Sequence, residues 1–427
     1  MRITKVTTAG GVIVGEEKLS YRVFRGVPYA EPCIGENRFR EPARKKPWQD
    51  ELDCTAFREM CPQPDPTGGF YGKEFYTSPE YPLPGQSEDC LYLNIWAPFE
   101  YDRKNCPVAF WIHGGAFDHG FGSEMEFDGE NFAVKGVILV TINYRVGVFG
   151  FYADEELDAS SVGNLGILDQ IEALKWVHNN IAAFGGDPEN ITIFGQSAGA
   201  ASVQALLCSP LAVGLFHKAI MQSGGGYDNG LIAARTKEEA FETGKIIREL
   251  AGAKNLADMK KVDAKKLVDL LPALYGRLNK LAFGPVVDGY VLNKSFDQTL
   301  LDRETADVPI MIGMTSQDIT VGKGEDARES RLYDGCLRFA RFRSEQSVNP
   351  VYMYYFRRQL PGDDAGAFHS SELWYVFNTI GRCWRPMEVH DYRLSDMMAN
   401  YWMAFMKGEN LVSWKEFGKG EFVRSFQ

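Results

Sequence analysis

Ile191-Thr-Ile-Phe-Gly-Gln-Ser-Ala-Gly199 decides how this chain of 427 residues is read. Ile191 to Phe194 is a strand-sized apolar run. Gly195-Gln-Ser-Ala-Gly199 follows at once, and Ala200, Ala201, Val203 and Leu206 then open a small-residue helix. A strand, a cramped turn and a helix in that order present a central serine as a nucleophile. The turn admits no bulk at its flanks, hence Gly195, Gly199, Ala198 and Ala200. It lifts the Ser197 hydroxyl to the positive end of the helix, with Gln196 as a supporting neighbour. The five-residue pattern alone is common, and its flanking strand and helix are what give it meaning.

Working outward, Val108 to Ile112, Val137 to Ile142 and Val308 to Ile312 are further apolar strings bounded by Gly, Pro or polar turns. They read as central strands, and Val351 to Phe356 as another. Between Ile142 and Ile191, Leu168, Ile171, Leu174, Val177 and Ile181 fall at helical spacing. The alternation predicts an α/β fold: a central, mostly parallel, twisted sheet covered by helices on both faces. Thr236-Lys-Glu-Glu239 has the form of a capping box. The charged stretch around 228–282 predicts a helical insertion outside the sheet, as part of a lid or second lobe. Ser395 to Lys407 reads as a helix with Gly408 beyond its last turn. No internal repeat or low-complexity tract divides the chain, so 1–427 is expected to be one domain.

Lys and Arg number 46 against 57 Asp and Glu, a formal net charge of −11. That balance argues against nucleic acid or an anionic membrane surface as a partner. With 45% hydrophobic residues the chain has enough apolar material to fold. No run approaches the roughly 20 apolar residues of a membrane span, and no apolar segment follows Met1-Arg-Ile-Thr-Lys5 as in a signal peptide. The expected location is cytoplasmic. Cys33, Cys54, Cys61, Cys90, Cys106, Cys208, Cys336 and Cys383 are scattered, without CxxC pairs or His at metal spacing. They read as free, mostly buried thiols, with no metal site.

A serine that attacks a carbonyl needs donors for the resulting oxyanion. His113-Gly-Gly-Ala116 follows directly on a strand, as a loop that supplies backbone N–H groups does. The predicted donors are Gly115, Ala116 and Ala198, with Gly114 in support. The base is one of six histidines. His113 and His119 belong to or adjoin that loop, His178 lies on the crossover helix, and His217 leads into a strand. His369, in a small-residue loop, fits the chain order Ser, acid, His, and His390 is the fallback. The orienting acid is expected at a strand exit between them. Asp318 satisfies this, with Asp288, Glu325 and Asp326 as competitors. Phe117, Phe121 and Tyr227 are candidates to line a substrate pocket, although aromatic side chains near a sheet edge also serve as core.

These residues resemble the type-B carboxylesterase family, α/β-hydrolases that include the cholinesterases and bacterial para-nitrobenzyl esterases. The match runs from Phe24-Arg-Gly-Val-Pro-Tyr-Ala30 to Tyr401-Trp-Met-Ala-Phe405. Its strongest pieces are Glu88-Asp-Cys-Leu-Tyr-Leu-Asn94, Asn164-Leu-Gly-Ile-Leu-Asp-Gln170 and Phe184 to Ala200. The resemblance implies Ser197 as nucleophile and His369 as base, since Gly366-Ala-Phe-His-Ser-Ser-Glu372 looks like the family's histidine loop. It implies Asp318 as the acid, where the family usually has Glu, and Ile319 stands where the family prefers Gly. Ala116 replaces a third glycine and still offers an N–H. Ser223 matches a family serine that hydrogen-bonds within the triad. Cys61 and Cys90 match a disulfide of secreted relatives, which the absence of an export signal argues against here. The stretch 319–368 is shorter than in the family, and the chain stops soon after Trp414. Gorge-walling helices are therefore expected to be missing and the site to be more open to bulky substrates.

The resemblance implies a cofactor-free serine esterase acting on a small-molecule ester through an acyl-enzyme. The alternative is a catalytically weak or non-catalytic binding protein on the same fold, as in the neuroligins. Such proteins usually lose the nucleophile, and Ser197 is intact.

Overall fold

The computed structural model describes residues 2–99, 105–158, 162–278, 280–319, 321–322 and 325–427. Its strands are β1 (Arg2–Thr8), β2 (Gly11–Glu17), β3 (Arg22–Pro28), β4 (Leu52–Asp53), β5 (Tyr92–Ala97), β6 (Cys106–Ile112), β7 (Ile138–Ile142), β8 (Gly186–Gln196), β9 (Lys218–Gln222), β10 (Ile310–Thr315), β11 (Val351–Phe356) and β12 (Val423–Phe426). They form one sheet in the order β1-β2-β3-β5-β7-β6-β8-β9-β10-β11-β12, with β4 beside β2. From β7 through to β12 every pairing is parallel. β1, β2, β3 and β5 add an antiparallel edge. The apolar strings fall in the parallel part because only strands covered on both faces tolerate uninterrupted Val, Ile and Leu.

Four of the expected strands shift, β6 and β7 only by one or two residues at their starts. Val308 and Pro309 stay outside β10, since proline has no N–H to give the ladder. β8 begins five residues before its apolar run, pairing Gly186 with Cys106 before the register shifts at Val108.

Helices cover both faces. Val108, Phe110 and Ile112 of β6 share one apolar cluster with α1 (Leu165–Asn180), α2 (Ala198–Cys208) and α7 (Arg331–Gln346). Ala109 and Trp111 point the other way, into a cluster with α8 (Val389–Lys407). Asp169 of α1 is buried and binds Arg145 through Nη2 at 2.7 Å and Nε at 2.8 Å. The capping box at Thr236 forms, each partner accepting the other's backbone N–H, and Gly408 ends α8 with φ 73°. The 228–282 stretch, of which position 279 lies outside the described residues, holds α3 (Lys237–Ala251), α4 (Leu256–Met259), α5 (Ala264–Asp269) and α6 (Leu271–Leu278). Ala240, Ile247, Leu267 and Leu274 join the same core as β6 and β8. The cysteines are free thiols, and a hydrogen bond with Cys61, together with burial, pushes the Cys90 thiol up. Among the described residues no helix is long and apolar enough to cross a membrane.

Candidate active site

Four parallel strands deliver the candidate groups to the C-terminal edge of the sheet, the usual place for ligands in open α/β sheets. β8 ends at Gln196 and α2 starts at Ala198, so Ser197 alone makes the turn. Its backbone sits at φ 57°, ψ −123°, a strained region that costs an ordinary residue about 1–3 kcal/mol. The cramping is measurable. A Cβ at Gly199 would lie 2.1 Å from Ile112 O, and one at Gly195 would lie 2.5 Å from Gly199 C. The Ser197 N–H donates to Gln222 O at the end of β9 (2.8 Å), which ties the turn down.

After β6 the chain passes through positive φ at Gly115 (100°), Ala116 (52°) and Phe117 (62°). Gly115 O accepts from the Asp118 and His119 N–H groups at 2.9 and 3.1 Å, closing the loop. The N–H groups of Gly115 and Ala116 make no hydrogen bond among the described residues. Ala198 is the first residue of α2, where an N–H has no intrahelical acceptor. The loop lies against the serine: a Cβ at Gly114 would stand 3.3 Å from that of Ser197. His113 supports the loop from below. It stacks on Tyr144 with centroids 4.3 Å apart, and burial drops its pKa to about 3, so it stays neutral.

Asp318 lies three residues beyond β10. Its Oδ2 accepts from Thr315 Oγ1 (3.0 Å), and its Oδ1 accepts from the Ile319 N–H (2.9 Å). His369 Nδ1 meets Asp318 Oδ1 at 2.6 Å, with both side chains buried. The two loops are laced together. The Gln317 N–H donates to Ala367 O at 3.0 Å, and the Ala367 N–H donates to Gln317 Oε1 at 2.6 Å. Burial opposes the charge on Asp318, but His369 outweighs it and holds the carboxyl below its ordinary value. Ser223, whose hydroxyl has no other hydrogen-bond partner among the described residues, helps in this. Burial likewise opposes a charged His369, yet the Asp318 carboxylate raises its pKa. The competing acids are occupied elsewhere. Asp288 accepts the N–H groups of Tyr290, Val291 and Leu292, Glu325 accepts that of Gly322, and Asp326 pairs with Arg328. His390 lies inside the first turn of α8, and its Nε2 meets Gln427 O at 3.0 Å.

One contact differs from expectation. His369 Nε2 is met at 3.1 Å by Gln196 Nε2, and Ser197 Oγ makes no hydrogen bond among the described residues. The Gln196 amide, not the Ser197 hydroxyl, meets the outer nitrogen of His369. Resting enzymes often hold such contacts loosely until substrate arrives.

Ser197, His369, Gln196, Gly114, Gly115 and Ala116 line one cavity of about 160 Å³. Of the aromatic residues expected there, none of the three is on its wall. Positive φ at Ala116 and Phe117 turns the Phe117 ring into the core against Phe151 (5.0 Å). Phe121 is buried behind Tyr76 (6.0 Å), and Tyr227 packs on Phe342 (5.1 Å). The aromatic lining comes instead from Tyr71, Phe75, Tyr76 and Phe127. Ile319 is also on the wall. Glu124 and Glu126, which the sequence did not single out, line the cavity together with His119, and Glu372 was also missed. Burial and the nearby Asp318 charge push the Glu372 carboxyl up to about 7. Its place three residues after His369 was its only signal. No cluster of three metal-ligating side chains occurs among the described residues.

Comparison with known proteins converges on one family. A family model described as the carboxylesterase family matches residues 3–332 and 327–421. The chain is 35% identical to the para-nitrobenzyl esterase of Bacillus subtilis over 457 aligned positions, covering 95% of this chain and 90% of that protein. It is 38% identical to carboxylesterase 1D of Rattus norvegicus, over 69% of this chain and 54% of that protein. It is 35% identical to the fumonisin B1 esterase of Sphingopyxis macrogoltabida, over 72% and 54%. It spans about half the length of these last two. Among solved structures, a para-nitrobenzyl esterase superposes with a TM-score of 0.88 at 32% identity, covering 99% of this chain and 96% of that one. A Geobacillus stearothermophilus carboxylesterase gives 0.83 at 32%, with the same coverage.

Proposed function

Because this chain belongs to the carboxylesterase family and has its α/β-hydrolase fold, we propose that it cleaves carboxylic esters through an acyl-enzyme on Ser197. It is a carboxylic ester hydrolase, and residues 1–427 act as one catalytic unit. With the Nδ1 proton directed at Asp318, His369 keeps its lone pair on Nε2. Once Gln196 yields that lone pair, His369 takes the Ser197 proton as Oγ attacks the ester carbonyl carbon. Gly115, Ala116 and Ala198 N–H groups receive the oxyanion. Collapse expels the alcohol, protonated by the imidazolium. Water then attacks the acyl-enzyme by the same route, releasing the acid and restoring Ser197.

The observation that carries this reading is the 2.6 Å His369–Asp318 contact in the cavity that also holds Ser197. The experiment is hydrolysis of a para-nitrophenyl ester by wild type and Ser197→Ala. Turnover by the variant at the wild-type rate overturns the assignment. The second reading, a weak or non-catalytic binding protein, is favoured by the missing Ser197–His369 hydrogen bond. Labelling of Ser197 by a fluorophosphonate separates the two, because only an activated serine reacts.

A further inference from the structure

Most side chains around Ser197 are closed off from solvent. Phe75, Phe127, Gln196, His369 and Leu373 all line the cavity and are buried. Two large apolar residues of the lining are open: Tyr71 is 38% exposed and Ile319 is 58% exposed. A wall residue that also meets bulk water stands at the rim, so these two mark the mouth. A lone exposed isoleucine on an ordinary surface needs no explanation. This one lines the cavity of the candidate nucleophile.

Its backbone fixes where it stands. The Ile319 N–H donates to Asp318 Oδ1 at 2.9 Å, the oxygen that meets His369 Nδ1. Asp318 O accepts the Val321 N–H, also at 2.9 Å. Branching at Cβ leaves the side chain few rotamers, so it forms a stiff edge. Burial and then the Asp318 charge raise the pKa of the Tyr71 hydroxyl, so both rim residues lie near one carboxylate. That places them on the imidazole side of Ser197. In acyl transfer the imidazolium hands its proton to the departing alcohol, so the alcohol half of an ester lies on this side. The cavity measures about 160 Å³, small against the roughly 300–1,000 Å³ of most ligand pockets. One side chain at its rim therefore governs a large share of its width.

We propose that Ile319 is a specificity-determining residue: its side chain narrows the mouth on the leaving-group side, admitting slim primary alcohols and excluding branched or ring-bearing ones. The inference rests on the ester-hydrolysis reading. The acyl half, whose carbonyl oxygen is received by the oxyanion loop, is free of this filter. The Ile319 side chain is mostly in water, so shortening it is expected to leave the melting temperature unchanged.

The test is the ratio of kcat/KM for butyl butanoate over cyclohexyl butanoate, in wild type and in Ile319→Ala. That ratio is expected to fall by about tenfold or more in the variant, the scale of a methylene-sized change in a closely fitting pocket. The matching acyl pair, butyl butanoate over butyl cyclohexanecarboxylate, is expected to keep its ratio. Intrinsic ester reactivity cancels, because each ratio is compared with itself across the two proteins. An unchanged alcohol ratio overturns the proposal, and so does an acyl ratio that shifts as much. Uniform slowing of all three esters at constant ratios also overturns it, and reduces Ile319 to a prop for Asp318. If Ile319→Ala does not fold, Ile319→Phe reads the opposite direction: the alcohol ratio must rise above the wild-type value, and one no higher overturns the proposal. Each of these outcomes leaves the esterase reading intact. If wild type turns over none of the three esters, that reading fails and the proposal with it.

Discussion

The two walls of the cavity are built on opposite plans. On the reacting wall, Ser197 directly follows β8, the Gly115 loop follows β6, and Asp318 lies three residues after β10. Backbone hydrogen bonds to the ends of β9 and β11 fix the first and last of these (Ser197 N–H to Gln222 O, Ser316 N–H to Phe356 O), while the Gly115 loop closes on its own carbonyl. On the facing wall, Tyr71, Phe75 and Tyr76 sit in one helical turn and a π-turn, Gly69–Tyr71 and Gly72–Tyr76. That segment is held by partners some 300 residues away. Phe70 packs on Phe368 (4.8 Å), Phe75 on Trp374 (5.3 Å), and buried Glu74 pairs with buried Arg385 (2.6 Å). The candidate groups on the first wall thus sit at turns that end strands, and the aromatic lining of the second rests on distant packing.

The contrast can be broken hardest at the serine. Ser197→Ala is expected to lower kcat by a factor on the order of 10⁴ to 10⁶, with an unchanged melting temperature as the control. Asp318→Asn comes next, at about 10³ to 10⁴, and it carries a pH signature. His369 acts as a base only when neutral, so kcat/KM falls as pH drops through its pKa. Asp318 raises that pKa above the ordinary 6.5, so the acid limb lies above 6.5 in wild type and moves to lower pH in the variant. A limb that stays in place refutes the coupling.

The facing wall predicts a different pattern. Arg385→Leu leaves Glu74 buried without its cation and is expected to cost about 3–5 kcal/mol, read by thermal or urea unfolding. In the protein that remains folded, KM should rise more than kcat falls. Phe75→Ala is the mildest change and sharpens the same point. It should raise KM by up to about tenfold while the acid limb of the pH profile stays fixed. A shift of that limb would show that the two walls are not independent.

The same contrast decides what could be read in the sequence. The Ser197 turn was legible because its steric demand selects Gly195 and Gly199 within five residues. The loop after β6 was legible for similar reasons. Asp318 was legible only as one acid among several, because spacing along a chain does not say which carboxylate an imidazole will meet. The pocket was not legible. Phe117 is beside the oxyanion loop in sequence but turned away by the backbone at Ala116. Tyr71 to Tyr76 has too short a helical span to show periodicity. Glu126 resembles any surface acid until burial is known. The Gln196 contact with His369 depends on a side-chain rotation that no pattern encodes.

Ser197 and His369 lie 172 positions apart, and the imidazole loop comes from the far side of β11. During synthesis the serine therefore leaves the ribosome long before its base. A nascent polypeptide stalled or clipped anywhere before residue 369 would carry the bent hydroxyl but no means to ionise it. If these two residues act together as proposed, the site cannot assemble until the polypeptide beyond residue 369 has been made.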